Sequence, residues 1–211
     1  MGREQDMTRD VSDVEDLVAA IELTPDDYQE IERTRAANPL LNVNHLALAC
    51  RDAAATRRFY EDLLGLPLVN AMVTEDPFRK DGSLYCHFFF ELGDGNCLAF
   101  FDHTDLFEEK DFAPKSGFHQ HIAMSVESDA IIQSYRERLE AAGVATKYID
   151  HGLYHSLYFS DPNGLNLELT HKPAGTVAFE AKIRKISRKL IDDWIVERDQ
   201  HVEAAKARSA Q

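Results

Sequence analysis

Apolar residues recur along this chain with two different periods. Between about residues 42 and 172 short alternating runs are interleaved with helical ones, whereas at both ends the spacing is helical throughout. Near the start, Val14, Leu17, Val18 and Ile21 make one apolar stripe. Thr24-Pro25-Asp26-Asp27 then reads as an N-cap, a proline at the first helical position and acidic residues at the positive helix end. The helix it opens, through Tyr28 and Ile31, is expected to stop before Pro39, because a residue ahead of proline avoids the α region. From Phe179 to about Val202, Ile183, Ile186, Leu190, Ile191, Trp194 and Ile195 form a second amphipathic stripe. Lys182, Lys185, Arg188 and Lys189 lie opposite it and read as a solvated face.

The middle of the chain carries an internal repeat. Val43-Asn44-His45-Leu46-Ala47-Leu48-Ala49 alternates as a strand, and Gln120-His121-Ile122-Ala123-Met124-Ser125-Val126 has the same pattern. Each is followed by an amphipathic helix, one from Asp52 to Gly65 and one from Ser128 to Gly143. Both helices have a capping side chain at the start and a glycine suited to the left-handed conformation just past the end. His45 and His121, Phe59 and Tyr135, and Leu63 and Leu139 are all 76 positions apart. Strand-like runs follow each helix: 66–73, 84–92 and 97–102 in the first half, 144–149, 154–160 and 165–170 in the second. The turns Gly93-Asp94-Gly95-Asn96 and Asp161-Pro162-Asn163-Gly164 separate the last two runs of each half. The predicted architecture is α+β: two βαβββ modules, about 42–104 and 118–172, within a domain of residues 42–172. Helical extensions occupy 1–41 and 173–211.

Strand parity sorts the chemistry. His45, Ala47 and Ala49 share a face, as do His121, Ala123 and Ser125, so each histidine is followed by small residues that leave room for a ligand. On the last strand Asn166, Glu168 and Thr170 share one face while Leu165, Leu167 and Leu169 point into a packed layer. A carboxylate in so apolar a strand is costly unless it is paired or bound to a metal. Two imidazoles and one carboxylate at repeat-related positions make His45, His121 and Glu168 a candidate facial triad for Fe(II). Other histidines carry less. His87 stands on an apolar strand with Phe88, Phe89 and Phe90 and reads mainly as core; His155 is a candidate for the rim; His119, His171 and His201 read as surface residues.

Composition narrows the field. The chain has 211 residues and a formal net charge of -14, which argues against nucleic acid and an anionic membrane surface as partners. No apolar run reaches the ~20 residues of a membrane span, and the charged start, Met1 to Asp10, does not read as a secretory signal. Three cysteines without CxxC spacing exclude a disulfide scaffold and a thiolate zinc site, and a cytoplasmic setting is expected.

Residues 42–172 resemble the vicinal oxygen chelate superfamily, which includes glyoxalase I, fosfomycin and bleomycin resistance proteins, and type I extradiol dioxygenases. Its members build an incomplete barrel around a metal from paired βαβββ modules. Ile149-Asp150-His151, five residues, Leu157 to Gly164, three residues and Glu168 match the extradiol dioxygenase signature, and the single module pair resembles the one-domain members. The resemblance implies Fe(II), with Mn(II) or another divalent metal as alternatives, on His45, His121 and Glu168, and O2 as co-substrate. It implies that His151 and Tyr158 hydrogen-bond the oxygens of a catechol-type substrate and, more loosely, that His103 is an acid–base catalyst. A fourth ligand, usual in glyoxalase-like relatives, falls at Ala99, which cannot coordinate. The expected activity is extradiol ring cleavage of an aromatic diol, by a homo-oligomer formed through the terminal helices. The alternatives are a glyoxalase-like metal-dependent isomerase or thiol transferase, or a non-enzymatic small-molecule binder of the same fold.

Overall fold

A computed structural model describes residues 16–113 and 119–209. Two compact units form, one of Leu40–Pro173 and one that joins the chain before Leu40 to the chain from Ala174 onward.

The larger unit is the duplicated one. Its first module runs β1 (His45–Cys50), α2 (Ala53–Arg57), β2 (Leu68–Glu75), β3 (Leu84–Glu91) and β4 (Cys97–His103). A single π-helical turn, Arg58–Leu63, extends α2. The second module runs β5 (Ile122–Ser125), α3 (Asp129–Ala141), β6 (Lys147–Asp150), β7 (His155–Ser160) and β8 (Asn166–His171). Each makes a four-stranded sheet, ordered β1-β4-β3-β2 and β5-β8-β7-β6, in which only the first strand pairs in parallel. The repeat is therefore real, and the two sheets stay separate instead of closing into a barrel. The predicted caps are present. Asp52 and Ser128 accept from the backbone N–H groups of Ala55 and Ile131, and Gly65 and Gly143 end their helices at φ 78° and 80°.

Strand alternation divides each sheet into a core face and an open face. Cys50, Phe88, Phe90, Leu98 and Phe100 of the first module join Ile132, Leu139, Leu157, Phe159, Leu167 and Leu169 of the second in one apolar cluster. Phe59 and Tyr60 enter it from the helical side. Polar contacts lock the modules there. Tyr60 donates its hydroxyl to Asp161 (3.1 Å), Asn163 donates its amide to Thr56 (3.1 Å), and the backbone N–H of Arg51 donates to Asn163 (2.8 Å). Burial pushes the carboxyl of Asp161 above its usual range, against the pull of the hydrogen bonds it accepts. Tyr60 is raised well above the normal phenol value by the same burial and by the adjacent carboxylate, so its hydroxyl stays a donor.

In the smaller unit, residues 16–19 are helical, α1 spans Pro25–Ala36 and α4 spans Thr176–Ser209, longer at both ends than the apolar stripe predicts. Val14 lies outside the described residues. Thr24 and Asp27 form a capping box. The lysine face of α4 departs from the expectation of a solvated surface. Lys182 and Lys185 donate to the carbonyls of Ala19 and Glu22 (3.3 Å each), and Lys185 pairs with Asp27 at 2.9 Å. Backbone carbonyls of the first segment and the Asp27 carboxylate at the start of α1 thus supply the acceptors for a basic face. Ile191 and Trp194 remain about half exposed. Among the described residues no helix is long and apolar enough to cross a membrane.

Two outcomes are expected. Gly164 sits at φ 79°, and a Cβ there would collide with the carbonyl of Phe112. Gly164→Ala should therefore cost about 1–3 kcal/mol in urea denaturation. The ammonium of Lys185, followed by the Thr24 hydrogen bonds, lowers Asp27 from 3.8 to about 2. Because the folded value is the lower one, the contribution of this clasp is present above pH ~4 and is lost as pH falls from there through about 2. Fluorescence of the single tryptophan, Trp194, should report an acid transition in that window. Asp27→Asn should remove it.

Candidate functional site

The open face of the second module carries the polar cluster. His121 lies just ahead of β5, and its Nε2 is 2.9 Å from Oε2 of Glu168 in the middle of β8. The other carboxylate oxygen, Oε1, accepts from the hydroxyls of Ser156 (2.6 Å) and Tyr158 (3.2 Å), both on β7. Two neutral donors thus hold a carboxylate with only 7% of its surface exposed. Its second oxygen is left turned toward an imidazole. Tyr158 in turn lies 3.3 Å from Nε2 of His151, in the loop after β6. Since the phenol donates to Glu168, its oxygen accepts from His151. Burial first, then the charge of Glu168, raises the phenol above its ordinary value, so this donor stays protonated near neutral pH. The chain His151–Tyr158–Glu168–His121 runs across one sheet face from loop to edge strand.

The open face of the first module is aromatic. His45 begins β1, exposed, with Nδ1 against Oδ1 of Asn44 at 2.8 Å. A carboxamide oxygen only accepts, so Nδ1 carries the proton and Nε2 keeps the lone pair a metal needs. Around it lie Phe89 (ring centroids 5.6 Å) and His87 (6.2 Å), and His87 stacks on Phe101 at 3.8 Å. Burial, and secondarily His45, holds the His87 imidazole below the usual histidine value. His103 shares this face at the end of β4, but both of its ring nitrogens are occupied. Nε2 meets Asp76 (3.1 Å) and Nδ1 meets Asp105 (3.2 Å).

The structure therefore brings His121, Glu168, Tyr158 and His151 together and leaves His45 on the other module. Among the described residues no three His, Cys, Asp or Glu side chains converge as a metal-binding group. The register also makes the repeat hold at the decisive position. Ala47 pairs with Ala99 on β4 as Ala123 pairs with Glu168 on β8, so the place that holds a carboxylate in one module holds a buried methyl in the other. His155, a rim candidate by sequence, instead points to the core side and binds Asp129 at the start of α3 (3.1 Å). Sequence reasoning missed Asn44, Ser156 and the approach of the His87 ring, edge-on, to His45. The signal for Ser156 was its parity with Tyr158.

A model of the Glyoxalase/Bleomycin resistance protein/Dioxygenase superfamily matches residues 42–169. The chain belongs to this superfamily. Solved structures similar to it include a glyoxylase/bleomycin resistance protein/dioxygenase domain from Frankia sp. EAN1pec, 27% identical, covering 64% of this chain and 95% of that one with a TM-score of 0.48. A lactoylglutathione lyase from Agrobacterium tumefaciens is 22% identical over 66% and 98% of the two chains, with a TM-score of 0.46. The genomically encoded fosfomycin resistance protein FosX from Listeria monocytogenes, in a mutant form complexed with Mn(II) and a dihydroxypropylphosphonic acid, is 22% identical over 61% and 90%, with a TM-score of 0.45. No curated protein matches the chain. The superfamily assignment covers the larger unit and leaves the two helical extensions outside it.

Removing one of the two donors to a buried carboxylate oxygen leaves it under-satisfied. Ser156→Ala should destabilise the protein by about 1–3 kcal/mol in urea denaturation. Ser156→Thr, which keeps the hydroxyl, should recover most of that loss.

Proposed function

We propose that this superfamily member is an Fe(II)-dependent extradiol dioxygenase acting on a catechol-type aromatic. The observation that carries the reading is the convergence of His121 Nε2 and Glu168 Oε2 at 2.9 Å, with the rest of the carboxylate pinned by Ser156 and Tyr158. An imidazole and a carboxylate meeting beside Ala123, which pairs with Glu168, suit a divalent cation. With His45 as third donor the set is two imidazoles and one carboxylate, which leaves positions open for a chelating diol and O2. When bound, the iron supplies the redox link between the diol and O2.

The protein's own groups do the rest. Ala99 cannot supply a fourth donor, so this chain's residues would offer a metal three, His45, His121 and Glu168. Tyr158 and His151 stand 3.3 Å apart beside Glu168, placed to hydrogen-bond a diol oxygen and to take up or return its proton. Phe89, Phe101 and Tyr85 line the first module's open face with aromatic rings against which the substrate ring packs. His103, held by Asp76 and Asp105, acts here through its neighbours more than as an open base.

His45 joins the other two ligands when the open face of a first module covers the open face of a second. A homodimer with twofold symmetry does this twice, each copy lending His45 to its partner's His121 and Glu168. The dimer contact is then through the sheets and not the terminal helices.

The tests are direct. Anaerobically purified protein should bind one iron per chain, consume O2 with a panel of catechols and form a yellow product. Glu168→Ala should abolish metal binding and O2 uptake. Metal-loaded protein that consumes no O2 with any diol would overturn the dioxygenase reading in favour of an isomerase or transferase. Failure to bind any divalent metal would leave the non-enzymatic binder. Mixing His45→Ala chains with Glu168→Ala chains should restore metal binding to part of the sites, since a mixed dimer holds one intact set. No recovery would show that the sites are not shared.

A further inference from the structure

Among the described residues, one buried side-chain nitrogen or oxygen has no hydrogen-bond partner: Nε2 of His87. Buried polar atoms are almost always satisfied, so such an exception calls for a reason. The ring is tightly held. It stacks on Phe101 with centroids 3.8 Å apart and planes 12° from parallel, and it lies 4.3 Å from Phe89 and 6.2 Å from His45. A phenylalanine in this place would continue the run of aromatic rings and bury no orphan nitrogen.

The repeat explains why the nitrogen is unmatched. Phe89 pairs with Ala99, and His87 with Phe101, on β3 and β4; Tyr158 pairs with Glu168, and Ser156 with Thr170, on β7 and β8. His87 thus occupies in the first module the position that Ser156 occupies in the second. There the side chain reaches Glu168 at 2.6 Å. In the first module the residue at the glutamate's position is Ala99, which ends at a methyl group and takes no hydrogen bond. A polar side chain at this position lacks the partner that its counterpart finds in the second module.

We propose that His87 is a ligand-contact residue whose Nε2 hydrogen-bonds an oxygen of the small molecule held against this face. The ligand class is a planar aromatic bearing hydroxyl oxygens, its ring against Phe89 and Phe101. This contact rests on the proposed metal-bound catechol, and it adds a specificity-determining residue on the module opposite His151 and Tyr158. The rings around His87 are side chains. One of them, His45, is exposed and its ring makes one hydrogen bond, to Asn44, so its turning toward a metal brings the bound ligand within reach of His87.

The experiment compares His87→Phe and His87→Gln with the unaltered protein, all loaded with Mn(II). Thermal melting is read first, then the dissociation constant of 4-nitrocatechol from its visible absorbance. His87→Phe should melt at the same temperature or higher, because an orphan polar atom has been replaced by ring carbon. It should bind 4-nitrocatechol roughly threefold to tenfold more weakly, the worth of one hydrogen bond. His87→Gln, which keeps a polar group on the same face, should bind more tightly than the phenylalanine variant despite melting lower. Manganese content should be equal in all three. Unchanged 4-nitrocatechol affinity in His87→Phe would overturn the contact, as would a lowered melting temperature with affinity intact. If the unaltered protein binds manganese but no catechol, the catechol reading itself fails and takes this contact with it.

Discussion

The buried carboxylate of Asp161 and its donors are what the rest of the larger unit depends on. Asp161 follows β7, accepts from the backbone N–H groups of Asn163 and Leu165, and takes the hydroxyl of Tyr60 from the other module. A carboxylate at this depth is tolerable only with several donors. The tight Asp161-Pro162-Asn163-Gly164 turn and Leu165 after it supply three of them locally, from Asn163 backbone and side chain and from Leu165, and Tyr60 supplies the fourth across the module boundary. Asn163 completes the clasp on Thr56 and the end of β1. Once this contact forms, the helix-side faces of both sheets share one core, and by strand alternation the residues that carry chemistry have to face the other way.

That consequence organises the site. Each open face descends from the same module, yet they have diverged into complementary halves. The second has a carboxylate with two hydroxyl donors, an imidazole and a phenol–imidazole pair; the first has an imidazole in an aromatic wall and a methyl where the carboxylate would be. The pairs Ala99 and Glu168, Phe89 and Tyr158, and His87 and Ser156 are the same backbone positions doing different work. One half positions charge and protons, and the other offers shape and a free lone pair. The smaller unit is held by different physics. Lysine ammonium groups on α4 meet carbonyls and the acidic start of α1, exposed contacts that salt and pH modulate more readily than they do a buried network.

Much of this was legible in the residues. The repeat, both caps, both left-handed glycines and the facing of each strand followed from local rules, because capping, turn chemistry and side-chain alternation act within a few residues. The strand register makes Ala99 the counterpart of Glu168. Four of the candidate site residues, His121, His151, Tyr158 and Glu168, could be grouped for the same reason: they belong to one module whose register is fixed by its own turns.

Tertiary structure decided what parity could not. A histidine's face does not say which partner waits there. His155 found Asp129 at a helix start, His103 found Asp76 and Asp105, and Nε2 of His87 found no hydrogen-bond partner. Nor does a repeat say how its copies pack. The sequence by itself determined two modules, their strands and the identity of the donors, since these rest on local backbone preferences. Only the tertiary structure determined that the modules meet through their helix sides and leave His45 apart from His121 and Glu168. That outcome depends on long-range burial of Tyr60, Asp161 and Asn163, contacts across more than a hundred positions whose worth comes from exclusion of water and not from local pattern.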